Sequence, residues 1–300
     1  MPDRMKLILR PYFGMLRAVG GLGVLLTTLA GCAPVDILNA TIPTRDLTIT
    51  RDIAYGDKAK QKLDIYVPKN AAPNAPVIVF FYGGAWQEGD KADFLFATQS
   101  LASMGAIVVV PNYRVYPEVT FPGFLEDGAA ATAWTFKNIA TYGGDPKTVF
   151  LAGHSAGAYV AIMLALDREY LAKAGVGDAG LAGGIGISGP YDFLPIHRPD
   201  IKPIFEVVPD MDVTQPIHYV RADAPPLLLL AGEADTTVGA YNSHNLADRM
   251  RALGGKVEDH YYPGVEHIGS IIALTSYFSG RAPVKADIEA FIAKVRAEKK

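Results

Sequence analysis

The chain has 300 residues and a net charge of −3, with half of its residues hydrophobic and a fifth charged. That length suits one large α/β domain or two small ones, and the apolar half supplies a core that disordered chains lack. A mildly acidic balance with no basic stripe argues against nucleic acid as a partner, because phosphate binding draws on clustered Lys and Arg.

The first segment carries Arg4, Lys6, Arg10 and Arg17, followed by an apolar run from Ala18 to Ala30. This is the order of a charged n-region and an h-region. The run is short of the roughly 20 apolar residues that a spanning helix needs. It ends Leu29-Ala30-Gly31-Cys32, which resembles the lipobox of bacterial lipoprotein signal peptides. The resemblance implies a signal peptide over residues 1–31, cleavage before Cys32, and diacylglyceryl transfer to its thiol. It also implies a lipid-anchored location in the bacterial cell envelope, facing the periplasm or the exterior. Cys32 is the single cysteine, so no internal disulfide can form. Residues 32–46 then read as the lipidated Cys and an aperiodic tether with two prolines.

From residue 47 onward strand and helix patterns alternate. Leu47 to Ala54 and Lys62 to Val67 alternate apolar with polar residues, as a half-exposed antiparallel pair does. Val77 to Tyr82, Ala106 to Val110, Thr148 to Ala152, Leu181 to Ile187 and Pro226 to Ala231 are short continuous apolar runs. Strands covered on both faces have this composition. A last strand is expected over Lys256 to Tyr262. Helical patterns fall at Asp93 to Met104, Phe124 to Ala140, Ala156 to Asp167, Tyr241 to Leu253 and Lys285 to Ala297. The expected fold is therefore α/β: a doubly wound, mostly parallel central sheet flanked by helices, filling residues 47–300. Residues 188–215 break the alternation with five prolines interspersed with aromatics, and are expected to form a small cap over the site.

The segment Gly153-His154-Ser155-Ala156-Gly157 is a G-x-S-x-G between a buried strand and a helix. A sharp strand-to-helix turn there lifts the Ser155 hydroxyl above the C-terminal strand ends, where open α/β sheets bind ligands. A serine hydroxyl needs a base, and the base needs an orienting acid. Behind such a turn the chain order is Ser, acid, His. Asp235 follows the strand at Leu227 to Leu230 and is the expected acid, with Glu233 as its rival. Among six histidines, His267 lies on the expected loop after the last strand and is the expected base. His154 sits inside the turn and is expected to point elsewhere, and His197 and His218 precede the acid. An imidazolium cannot accept the serine proton, so activity is expected to fall as the medium is acidified. The oxyanion is expected to meet the amide of Ala156 and one from Gly83-Gly84-Ala85, with Gly84 and Ala85 both open. Trp86, Tyr116, Phe121, Phe193 and Phe205 are candidates for an apolar acyl or aryl pocket; cap packing is an equal reading for Phe193 and Phe205. No metal-ligand spacing or phosphate loop appears, so neither a metal nor a cofactor is implied.

Together with Leu63-Asp64-Ile65-Tyr66, Pro111-Asn112-Tyr113-Arg114, Tyr116-Pro117-Glu118, Phe121-Pro122, Glu126-Asp127 and Gly143-Gly144-Asp145-Pro146, these segments resemble the esterase/lipase branch of the α/β hydrolases. That branch includes carboxylesterases, hormone-sensitive-lipase-like enzymes and kynurenine formamidase-like proteins. The resemblance covers nearly all of residues 47–297. It implies the α/β-hydrolase fold and a serine hydrolase that cleaves carboxylic esters of small to medium acyl or aryl groups through an acyl-enzyme. An arylformamidase-type amidase and a catalytically inactive envelope lipoprotein with a binding role are the alternatives. One departure is Tyr82, where the family usually has His before Gly-Gly. Arg114 and Asp127 are expected to form a scaffold pair.

Overall fold

A computed structural model of the chain describes residues 34–177 and 180–299. Cys32 and the expected signal peptide lie outside the described residues. Eight strands form one sheet: β1 (Leu47–Ala54), β2 (Lys62–Pro68), β3 (Ala75–Phe81), β4 (Ile107–Pro111), β5 (Gly144–His154), β6 (Leu181–Ile187), β7 (Leu227–Gly232) and β8 (Val257–Tyr262). Their order is β1-β2-β4-β3-β5-β6-β7-β8. The β1–β2 and β2–β4 pairings are antiparallel and the rest parallel.

Every residue of β3, β4, β6 and β7 is buried, which is why their sequences carry no polar alternation. Helices cover both faces: α2 (Leu95–Ala102), α3 (Gly123–Asn138), α4 (Ala156–Leu166), α5 (Arg168–Lys173), α7 (Tyr241–Ala252), α8 (His267–Ile272) and α9 (Val284–Glu298), with α6 (Lys202–Phe205) in the cap. All eleven residues of α4 are buried, because it lies between the sheet and α3 on one side and the cap on the other. An isolated amphipathic helix could not look like this, and the uniformly apolar AGAYVAIMLAL is the consequence.

Strand order decides where the site is. After β3 the chain turns toward β4, then crosses back to β5 on the other side of β3. The sheet winds in opposite directions from that point, which opens a crevice at the C-terminal ends of β3 and β5.

Residues 33–46 were expected as a tether, but they contain a helix, α1 (Pro34–Ala40). Val35, Leu38 and Ile42 pack on the core. Asn39 locks the helix in place: its Nδ2 donates to the Asp93 carbonyl at 2.9 Å and its Oδ1 accepts from the Phe96 amide at 3.0 Å. Seven residues are too few to show a period, so only tertiary contact reveals the helix. The cap also runs past residue 215. Two 3₁₀ turns, Met211–Thr214 and Pro216–Tyr219, carry it to β7.

Candidate active site

The turn between β5 and α4 forces Ser155 to φ 55°, ψ −124°, a conformation that side-chain-bearing residues rarely adopt. Close packing maintains it. A Cβ on Gly153 would lie 2.2 Å from the Gly157 carbonyl oxygen, and one on Gly157 would lie 2.1 Å from that of Phe81. Glycine at both positions lets helix and strands approach to contact. The Ser155 amide donates to the Ile187 carbonyl at 2.9 Å, tying the turn to β6.

Three distant segments meet here. Ser155 Oγ lies 2.9 Å from His267 Nε2, and His267 Nδ1 lies 2.7 Å from Asp235 Oδ2. The carboxylate fixes the tautomer: Nδ1 carries the proton and donates to it, leaving Nε2 to accept from the serine hydroxyl. Asp235 Oδ1 accepts from the amides of Thr237 at 2.9 Å and Val238 at 2.8 Å. Burial alone would raise the Asp235 carboxyl, but His267 and those two amides outweigh it and hold the group below the usual carboxylate range. The rival Glu233 is exposed, with its amide bonded to the Tyr262 carbonyl at 3.0 Å. His267 was expected on a loop; it is the first residue of α8.

His154 is buried directly behind His267. The two ring centroids are 4.7 Å apart, and His154 Nε2 lies 3.2 Å from the His267 carbonyl oxygen. Since a carbonyl can only accept, Nε2 carries the proton. Burial, with a further push from His267, brings the His154 imidazole down to about 3, so it is neutral at physiological pH. The same carbonyl accepts from Ser270 Oγ at 2.7 Å, and Ser270 Oγ accepts from Ser188 Oγ at 2.9 Å. These contacts hold the backbone that carries the imidazole.

The loop after β3 packs against the turn. A Cβ on Gly83 would fall 3.1 Å from both Ser155 Cβ and the His154 carbonyl oxygen. Gly84, Ala85 and Trp86 all have positive φ, at 141°, 52° and 58°, which turns successive peptide planes. Among the described residues the amides of Gly84, Ala85 and Ala156 donate to no other protein group. Uncommitted N–H groups beside a serine, one of them at the start of α4, form a site for negative charge. Tyr82, which replaces the family histidine, points into the core and stacks on Tyr113 at 4.7 Å and on Phe94 at 5.8 Å.

A cavity of about 1220 Å³ opens above Ser155. Trp86 and Phe193 line it, together with Phe94 and the cap residues Pro195 to Arg198. Tyr116 and Phe121, both expected in this lining, are not part of it. Tyr116 acts from behind, its amide donating to the Trp86 carbonyl at 2.8 Å. Phe121 is buried edge-on to Phe124, and Phe205 is buried edge-on to Trp86 at 4.8 Å, so both serve as cap core. Sequence reasoning missed Val35 and Leu38 of α1, Tyr241, and Ile268 and Ile271 of α8, all of which line the cavity. It also left His154 without a role, although a histidine closing the buried apolar run Val149 to Gly153 was the available signal.

A serine held in a strained strand–helix turn, bonded to a His–Asp pair at the switch point of a doubly wound sheet, defines an α/β hydrolase. The pattern of the BD-FAE family matches residues 63–200. The probable isoprenylcysteine alpha-carbonyl methylesterase ICMEL1 of Arabidopsis thaliana is 29% identical over 243 residues, 73% of this chain and 51% of that protein. Esterase LipC of Mycobacterium tuberculosis is 30% identical over 237 residues, 72% of this chain and 59% of that protein. The chain thus spans little more than half the length of these relatives. Among solved structures, an inhibited esterase B from Lactobacillus rhamnosis superposes with a TM-score of 0.74 at 19% identity, covering 88% of this chain and 93% of that one. The fold is that of the α/β hydrolases, and the chain is similar to esterases built on it.

Proposed function

We propose that the protein is a serine carboxylesterase acting on esters of small to medium acyl or aryl groups. The observation that carries this reading is the continuous relay from Ser155 Oγ through His267 to Asp235, with contacts of 2.9 and 2.7 Å. Ser155 Oγ attacks the ester carbonyl carbon while its proton passes to His267 Nε2. The carbonyl oxygen becomes an oxyanion, met by the amides of Ala156 and of Gly84 or Ala85. As the C–O bond breaks, the leaving alkoxide takes the proton from His267, and the acyl group remains on Ser155. Water, deprotonated by His267, then releases the acid and restores the hydroxyl.

The activities of the two relatives, a methylesterase for ICMEL1 and an esterase for LipC, support the same bond type. The apolar walls at Trp86, Phe94 and Phe193 suit a hydrophobic acyl or aryl group. We also propose that Cys32 is lipidated and holds the enzyme at the bacterial cell envelope. Replacement of Cys32 by Ser should then abolish incorporation of labelled palmitate, which the wild-type chain takes up in the membrane fraction.

The catalytic reading is tested with nitrophenyl esters of graded chain length beside N-formylkynurenine, using Ser155→Ala as control. Ester turnover that vanishes in the variant supports it. Preference for the formamide would select an amidase. No turnover and no labelling by a fluorophosphonate would leave a binding protein.

A further inference from the structure

The cavity mouth has an apolar rim. Six large hydrophobic side chains are exposed among the described residues, and four belong to the segments that build this mouth. Ile268 (59% exposed) and Tyr241 (54%) line the cavity themselves. Ile37 (48%) lies on α1 between the lining residues Val35 and Leu38, and Tyr277 (61%) precedes the lining residue Phe278. The Tyr277 hydroxyl donates to the Thr41 carbonyl at 3.5 Å, which brings these two segments side by side. Scattered exposed hydrophobics need no explanation, but a cluster around one opening marks a surface that is covered in use.

The sequence indicates what covers it. The apolar run Ala18 to Ala30 and Cys32 end immediately before α1. Whether the run stays in the membrane or acyl chains on Cys32 replace it, the point of attachment is three residues from Val35. Three residues of chain reach at most about 10 Å. Asn39 and the packing of Leu38 and Ile42 fix α1 to the body of the enzyme, so α1 cannot act as a slack leash. An attachment this short delivers the mouth, and not another face, to the bilayer.

We propose that the mouth of the Ser155 cavity rests on the lipid surface, with Ile37, Ile268 and Tyr277 entering the headgroup region, and that the ester substrate is an amphiphile taken from that membrane. This deepens the esterase reading and rests on it, and on the membrane attachment at the N-terminal segment.

The test uses the full chain reconstituted in phosphatidylethanolamine–phosphatidylglycerol vesicles. Ile37→Ser and Tyr277→Ser are combined, since neither residue lines the cavity, and Leu253→Ser serves as an exposed control away from the mouth. Turnover is measured on a water-soluble nitrophenyl acetate and on a long-chain nitrophenyl ester dissolved in the vesicles. Loss of apolar contact with the interface should lower turnover of the vesicle-borne ester about fivefold or more, and leave the soluble ester within about twofold. The control should change neither. Equal loss on both substrates, or no loss on either, would overturn the proposal. If the wild-type chain hydrolyses neither ester, the esterase reading fails, and orientation is then read directly. A spin label at Tyr277→Cys should be shielded from a water-soluble relaxation agent while one at Leu253→Cys is not; equal accessibility would sink the docking.

Discussion

The ring of His154 lies 4.7 Å from the ring of His267, and its Nε2–H donates to the His267 carbonyl oxygen at 3.2 Å. The residue beside the serine in the chain thus supports the base, which is 113 positions away in sequence. It contacts no reacting atom and acts through the backbone of His267. It is a positioning residue.

Replacement of His154 by Phe keeps a ring and removes the donor. Ser270 still donates to the same carbonyl at 2.7 Å, so the cost in stability should sit at the low end of the range for an unmet buried acceptor, about 1 kcal/mol. We expect kcat to fall with KM little changed, because the imidazole loses registry with Ser155. A His154→Phe enzyme with wild-type kcat would refute the positioning role.

The same residue sets an acid sensitivity. Folded His154 stays neutral down to about pH 3, whereas the unfolded chain protonates it near 6.5. Above 6.5 neither state holds this proton and it contributes nothing. Below 6.5 the unfolded state binds more protons, so stability is lost as pH falls from 6.5 toward 3. Asp235, whose carboxyl is held below its ordinary value of 3.8, contributes fully above that value and loses its contribution as pH falls below it. Melting temperatures measured from roughly pH 8 down to pH 4 should therefore fall less steeply for His154→Phe than for wild type. Parallel curves would rule the assignment out.

Asp235→Asn should reduce kcat by about 10⁴ while leaving the fold intact. The amide can still accept from Thr237 and Val238 through its oxygen, which turns its NH₂ toward His267 Nδ1. The imidazole must then place its proton on Nε2, where it cannot accept from Ser155. Steady-state kinetics on a nitrophenyl ester, with circular dichroism as a fold control, decide this; near-normal kcat would exclude Asp235 as the orienting acid.

Asp127 offers a contrast, since it is buried far from the chemistry in role. Its carboxylate accepts from the Arg114 amide, Nε and an Nη at 2.8, 2.9 and 2.7 Å, and from Gln61 Nε2 at 2.7 Å. Asp127→Ala strands these donors. Because Arg114 keeps some solvent contact, we expect the lower part of the range for a broken buried pair, about 3 kcal/mol. Chemical denaturation should register that loss, while activity per folded molecule should hold. A loss of activity without a loss of stability would move Asp127 into the site.

Gly157→Ala should fail more severely than its single added methyl suggests. The new Cβ would meet the Phe81 and Tyr82 carbonyl oxygens at 2.1 and 2.4 Å, both backbone atoms of the strand end and loop that frame the oxyanion site. Overpacking of a rigid site costs about 1–3 kcal/mol or more. The variant should express poorly or melt early, and any folded fraction should show reduced kcat. Wild-type stability would mean that the turn is looser than its contacts indicate.

The sequence by itself determined the winding of the sheet and the order of the reacting groups. Continuous apolar runs such as VIVFF can be buried only when both faces are covered, and G-H-S-A-G between such a run and a helix leaves little choice of turn. Chain order then singled out Asp235 and His267, because each follows a recognisable strand. Tertiary structure alone decided what those groups touch. Tyr116 and Phe121 have the composition of pocket residues, but the packing of α3 against the cap takes Phe121 into the core and leaves Tyr116 holding the loop from behind. Val35 and Leu38 sit in a helix of seven residues, too short to carry a period, and they reach the cavity only because Asn39 fastens that helix to the start of α2. His154 lacked a legible partner for the same reason: periodicity reports which face of an element is buried, while the neighbour across that face is set by chain folded back from more than a hundred residues away.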